Sequence, residues 1–76
     1  MNVYDYLSLI NTIDDVNVTI FDCHTEDVIF HNGANDENVL DAVTEAGWDY
    51  YEVVGVDLFK NAQGEMCIEL NIDTEE

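Results

Sequence analysis

The sequence predicts one small α+β domain, and three of its features support that class. Hydrophobic residues make up 47% of the 76 residues, and proline is absent. Two segments have the apolar spacing of a helix, and four have the alternation or β-rich composition of a strand. Their order is α-β-β-α-β-β, from which we expect an antiparallel sheet of about four strands with both helices on one face. The domain is predicted to span residues 1–72, followed by a short acidic tail, 73–76.

The first half predicts a helix followed by a hairpin. Residues 3–13 place apolar side chains along one face at helical spacing, with Asn2 as a suitable N-cap. Residues 16–22 alternate apolar and polar side chains, as in a strand with one buried face. The polar segment 23–27 predicts a turn, and 28–31 the returning strand.

The second half repeats this arrangement. Asn35 is a predicted N-cap, and the helix is expected to continue to about Ala46 and to end at Gly47. A β-rich segment at 50–59 and an alternating segment at 65–72 predict a second hairpin.

Charge is the property that bears most directly on function. The chain has 18 Asp and Glu residues but one basic residue, Lys60, which gives a net charge of -17. A folded chain of this length is roughly 30 Å across, and duplex DNA of that length carries about 18 charges. The apolar content argues against disorder. Adaptation to high salt, or solubility alone, is the plainer explanation, although solubility is normally met by a net charge of about 2–8 in magnitude.

The predicted positions of the acids define a candidate surface for a basic partner. Glu37, Asp41 and Glu45 recur every four residues of the second predicted helix, so they share one face. Exposed aromatic residues often anchor interfaces, and Tyr4, Trp48, Tyr50 and Tyr51 are candidates. The residues predicted to contact the partner are Glu37, Asp41, Glu45, Glu65, Glu69, Asp22, Glu26, Asp27 and Tyr50.

Catalytic and cofactor sites find little support in the sequence. It contains no nucleophile elbow, phosphate-binding glycine loop or HExxH motif, so we expect no catalytic residues and no cofactor. Cys23, His24, His31 and Cys67 include zinc-ligand types but lack zinc-ligand spacing, so no metal site is predicted. The first residues lack a basic region, and no apolar segment is long enough to span a membrane. We therefore expect a cytoplasmic protein.

In size, scattered acids, near absence of Lys and Arg, and α/β layout, the chain resembles phage-encoded acidic DNA-mimic inhibitors. These include anti-CRISPR proteins, anti-restriction proteins and inhibitors of uracil-DNA glycosylase. The segment at 35–43 and the acid-bearing strands are similar to the surfaces that such proteins use. The resemblance favours an anti-CRISPR protein that occupies the basic nucleic-acid-binding cleft of a Cas effector in an infected bacterial host.

The same composition and predicted layout fit other functions. An anti-restriction protein or a glycosylase inhibitor would act by the same mimicry. A generic acidic interaction module, or an acidic chaperone for basic proteins, would bind through charge without imitating DNA. In each case the expected partner is a basic protein, with no direct binding of nucleic acid or membrane, and the chain is expected to be a monomer or homodimer.

Overall fold

The computed structural model describes residues 1–10, 16–33 and 38–75, and in these ranges each of two helices is followed by a pair of strands. The elements are α1 (Val3–Ser8), β1 (Asn17–Asp22), β2 (Asp27–Asn32), α2 (Val39–Ala46), β3 (Val53–Lys60) and β4 (Met66–Ile72). The predicted α+β class is confirmed, and the elements run α-β-β-α-β-β along the chain.

The four strands form one mixed sheet in the order β2-β1-β4-β3. Each hairpin is antiparallel, but β1 and β4 pair in parallel at the centre, with Ile20 opposite Leu70. The prediction of a wholly antiparallel sheet is therefore wrong. Burial explains the arrangement, because the core-facing residues of β1 and β4 are almost fully buried, whereas both edge strands are more exposed. The alternation pattern predicts each hairpin but does not say which strands join them.

Both helices lie on the same face of the sheet. Their buried side chains pack in one cluster with the inward residues of β1 and β4. The buried cluster comprises Val3, Leu7, Val16, Val18, Ile20, Val39, Val43, Ile68, Leu70 and Ile72. No described helix covers the opposite face, which we call the open face, and Thr19, Glu69 and Asp57 lie there as neighbours across three strands.

The helix ends differ in part from the predicted ones. Helix α1 begins after the predicted cap Asn2 and ends at Ser8 with Leu9 as its C-cap, and residues 11–13 of the predicted helix lie outside the described residues. Helix α2 is capped by Asn38, whose side chain accepts hydrogen bonds from two backbone amides of the first turn. The predicted cap, Asn35, lies outside the described residues. Gly47 ends the helix as predicted, with the positive φ of 86° that glycine adopts without strain.

The start of the chain is held against the segment that leads into β3. The Val53 amide donates to the Met1 carbonyl at 3.1 Å, and the Tyr4 amide donates to the Asp49 carbonyl at 3.0 Å. These bonds fix the first turn of α1 beside the loop that follows α2. They therefore place Tyr4 of α1 beside Asp49 of that loop.

Leu70→Ala tests the position of the core. Leu70 is fully buried in β4, so the substitution should lower the free energy of unfolding by about 2–5 kcal/mol. Leu58→Ala in the adjacent strand is the matched control, because Leu58 is 63% exposed and its loss should cost no more than about 0.5 kcal/mol. Urea unfolding at constant salt measures both. Equal losses for the two variants would contradict this placement of the core.

Candidate functional site

An acidic groove of about 680 Å³ lies between the two helices. It is open to solvent and is lined by Tyr4 of α1, by Asp41, Thr44 and Glu45 of α2, and by Asp49 of the loop that follows. Three of these five side chains are carboxylates. We refer to these five residues as the acidic groove.

The amphipathic pattern of α2 places its acids in the groove. Val39, Ala42 and Val43 are buried, so Asp41 and Glu45 face outward. Asp41 lies in the first turn, where a negative charge is favourable, but Glu45 lies in the last turn, where it is unfavourable. The two acids are also four residues apart, and like charges at that spacing cost about 0.2–0.5 kcal/mol. Helix stability alone does not explain Glu45.

No cation balances the acidic groove within the described part of the chain. Two ion pairs are present there, one between the Met1 amino group and Glu52 at 2.8 Å and the other between His24 and Glu75 at 3.0 Å. Glu52 raises the pKa of the Met1 amino group above 8.0 through its hydrogen bond and its charge. Neither pair includes a groove residue. The groove carboxylates are thus available to a cationic partner.

The structure places the other predicted contact residues away from the groove. Glu69 lies on the open face, directly opposite Asp57, and Glu65 lies at the β3–β4 turn, where it accepts a hydrogen bond from Asn61 at 2.9 Å. Glu26 and Asp27 are exposed at the β1–β2 turn. Within residues 1–10, 16–33 and 38–75, the predicted contact acids therefore occupy several sides of the molecule and do not form one continuous surface.

The structure describes two of the three acids that were predicted to share one face of the second helix. Asp41 and Glu45 are exposed on α2, as expected, but Glu37 lies outside the described residues. Helix α2 as described begins at Val39. Of the three predicted acids, the structure therefore shows two, Asp41 and Glu45, one helical turn apart on α2.

Asp22 is not an exposed contact residue, and its prediction as one is wrong. Its side chain is 2% exposed and accepts four hydrogen bonds. The donors are the His24 amide at 3.1 Å, the Thr25 hydroxyl at 3.0 Å, and the amide and hydroxyl of Thr74 at 3.1 and 2.7 Å. Asp22 therefore ties the β1–β2 turn to the predicted acidic tail.

The protonation of Asp22 is coupled to the fold. Burial raises the pKa of its carboxyl, but the hydrogen bonds to the charged form outweigh that effect and lower the pKa from 3.8 to about 2. Because the folded-state value is lower than the unfolded one, this contribution to stability is present above pH 3.8 and is lost as the pH falls through about 2.

The predicted aromatic candidates divide into exposed and core-supporting residues. Tyr50 is 65% exposed and Tyr4 is 42% exposed. Trp48 and Tyr51 pack against the core, with ring centroids 5.6 Å apart, and Tyr50 stacks on Tyr51 at 4.5 Å. Tyr50 and burial together raise the pKa of the Tyr51 hydroxyl above 10.0. Tyr50 is thus an exposed ring stacked on Tyr51, which itself packs against the core.

Two groove residues, Thr44 and Asp49, were not predicted from the sequence. The exposed position of Thr44 follows from the period of α2. Asp49 faces the groove because the start of the chain pairs with the loop that contains it, and this pairing between distant segments has no local sequence signal.

The cysteine and histidine residues are dispersed. Cys67 is buried and Cys23 is exposed, and His31 lies 3.2 Å from the hydroxyl of Thr19. Among residues 1–10, 16–33 and 38–75, no three His, Cys, Asp or Glu side chains are grouped to hold a metal ion. Within the same ranges, no helix has the length and apolar character needed to cross a membrane.

Comparisons of the chain with protein-family models, curated proteins and solved structures find no match. We therefore infer function from the geometry and charge of this chain.

Asp22→Asn tests the buried carboxylate. The variant should melt several degrees below the wild type at pH 7, because it lacks the charge that the four donors stabilise. The difference in Tm should shrink as the pH falls from about 4 to about 2, where the wild-type carboxyl becomes protonated. Circular dichroism melts across this range measure both chains. A difference in Tm that does not change with pH would contradict the assignment.

Salt should stabilise the fold. Raising KCl from about 0.01 M to about 0.15 M shortens the Debye length from about 30 to about 8 Å and screens repulsion among the acids. We expect Tm to rise by several degrees. The rise should be smaller in Glu26→Lys/Asp27→Lys, because the net charge of that variant is smaller in magnitude. A Tm that stays constant or falls with salt would show that repulsion does not limit stability.

Proposed function

We propose that this protein is a non-enzymatic inhibitor that occupies the basic nucleic-acid-binding cleft of a target protein. The observation that carries the proposal is the acidic groove, where the three carboxylates of Asp41, Glu45 and Asp49 have no cationic partner in the described chain. The groove belongs to a chain with a net charge of -17.

The charge density supports mimicry of a nucleic acid. The molecule extends 33 × 24 × 18 Å, and duplex DNA as long as its greatest dimension carries about 19 charges. A cleft that neutralises a DNA backbone would therefore attract this chain and accelerate the encounter. Because the attraction is ionic, the affinity should decrease as salt increases.

The groove offers more than net charge. An arginine from the target that enters it can donate charge-assisted hydrogen bonds to carboxylates from both α2 and the following loop. The exposed ring of Tyr4 lines the same groove and can contribute a cation–π contact. Arginine-rich clefts are typical of proteins that bind nucleic-acid phosphates. This combination favours a defined contact over a diffuse solubility coat.

The proposed target class is the CRISPR–Cas effector, in keeping with the resemblance of the sequence to acidic DNA mimics. Restriction enzymes and DNA glycosylases have basic clefts of the same kind, so inhibition of either would use the same chemistry. A generic acidic interaction module is the alternative from a different class, and it would bind basic proteins without regard to where the acids lie.

Two matched double variants separate placement from net charge. Asp41→Lys/Glu45→Lys changes the groove, and Glu26→Lys/Asp27→Lys changes the exposed β1–β2 turn. Each replaces one Asp and one Glu with Lys and changes the net charge by four units, from -17 to -13. We expect the groove variant to inhibit DNA binding by the sensitive target at least about tenfold less strongly than the turn variant, which corresponds to about 1.4 kcal/mol.

The assay measures DNA binding by a CRISPR effector, a restriction endonuclease and a uracil-DNA glycosylase at fixed salt, after circular dichroism has shown that both variants are folded. Preferential inhibition of one enzyme, lost in the groove variant, supports the proposal. Equal inhibition of all three, weakened equally by both variants, would show a generic polyanion.

A further inference from the structure

The outer edge of β3 is a second surface with the features of a binding site. β3 is an edge strand of the sheet. Only its beginning is covered, by an isolated bridge between Asn2 and Glu52 and by the bond from the Val53 amide to the Met1 carbonyl. Beyond Val53, no described strand pairs with this edge.

The backbone of this edge presents a row of outward amides. The Asn61 amide donates to the Glu65 carbonyl at 3.0 Å, so it points toward the β4 side of the hairpin. Successive residues of an antiparallel strand point alternately toward and away from their partner. The register of β3 is regular after Gly55. The amides of Lys60, Leu58 and Val56 therefore point away from β4, at hydrogen-bonding positions for an added strand.

The side chains of the edge are largely apolar and exposed. Val54, Leu58 and Phe59 are 57%, 63% and 47% exposed, respectively. Natural proteins usually protect such edges with charges, bulges or proline. In β3 the register irregularity lies at the start, between Val53 and Gly55, and Lys60 is the last residue of the strand. Between these two ends, Asp57 is the one charged residue that protects the edge.

Charge identifies the occupant of this edge. Asp57 lies directly across from Glu69 on the open face, where two like charges destabilise the strand pair. Lys60 is three residues from Asp57 in a regular strand, so its side chain lies on the other face. A second copy of the chain would add another net charge of -17 and another Asp57. A cationic strand would instead place a Lys or Arg beside these two acids.

We propose that the outer edge of β3 binds an extended segment of the basic partner by strand addition. The segment alternates apolar residues, which pack beside Leu58, with Lys or Arg, which face Asp57 and Glu69. Main-chain hydrogen bonds provide affinity in this recognition mode, and the alternating side chains provide specificity. This inference rests on the proposed function, from which the positive charge of the partner is taken. It adds that a segment of that partner binds as an extra strand of the sheet.

The probe is a short synthetic peptide in which valine and lysine alternate. Its control has the same sequence with every interior amide N-methylated, which retains the charge and side chains but prevents strand pairing. With the first peptide at saturation, hydrogen exchange at Val56, Leu58 and Lys60 should slow at least about tenfold. The amides of Asp57 and Phe59, which point toward β4, should change little. The methylated peptide should slow none of them.

Leu58→Pro provides the matching change in the protein. Proline removes one outward amide at an edge position where the ladder with β4 does not need it. We expect at least about tenfold weaker binding of the alternating peptide, a change of about 1.4 kcal/mol. The tenfold loss is measured against Leu58→Ala, which also lacks the leucine side chain that packs beside the peptide but keeps the amide. If Leu58→Pro does not fold, hydrogen exchange in the wild-type chain still decides the question.

Two results would overturn strand addition. Equal binding of both peptides without slower exchange in β3 would show attraction by charge alone, which leaves the proposed inhibition intact, since the groove variants test that separately. Protection of the β3 amides that rises with protein concentration in the absence of peptide would identify a second copy of the chain as the occupant.

Discussion

The parallel pairing of β1 with β4 is the constraint on which the rest of the structure depends. It joins two local hairpins into one sheet and places the most deeply buried strand residues at its centre. The helices then cover one face, while β2 and β3 become the two edges. The same pairing brings the ends of β1 and β4 together, so that Asp22 can reach Thr74. The core, the open edge and the buried carboxylate all follow from this contact.

Electrostatic repulsion opposes that architecture. A domain of this size has a small core and a narrow margin of stability, yet it has 18 acidic residues and one basic residue. The fold stabilises the Asp22 carboxylate internally with neutral donors and leaves most of the other described acids at least partly exposed. Glu45 at the negative end of α2 and the Asp57–Glu69 pair are locally unfavourable. A cationic partner would relieve both strains, which links the energetics of the free chain to binding.

Local sequence signals predicted the parts of the fold that depend on local chemistry. Gly47 ends α2 because a positive φ is needed there, and alternation predicted both hairpins. Contacts between distant segments were not predictable. Asp22 lies on the inward face of β1, and the return of the chain at Thr74 adds two of its four hydrogen bonds, whereas Glu26 is exposed in the turn. Asp49 lines the groove because the start of the chain pairs with its loop, while the exposure of Asp41 and Glu45 follows from the period of α2.

The hydrogen bonds between Asp22 and Thr74 give the last residues two opposing effects. Removing residues 74–76 would delete two negative charges and so reduce repulsion across the molecule. It would also remove two of the four donors that stabilise a carboxylate sealed from water. Losing half of the donors to a buried carboxylate costs more than the repulsion of one exposed charge. Thr74 therefore stabilises the fold through Asp22, and the acidity of the residues beside it is secondary to that contact.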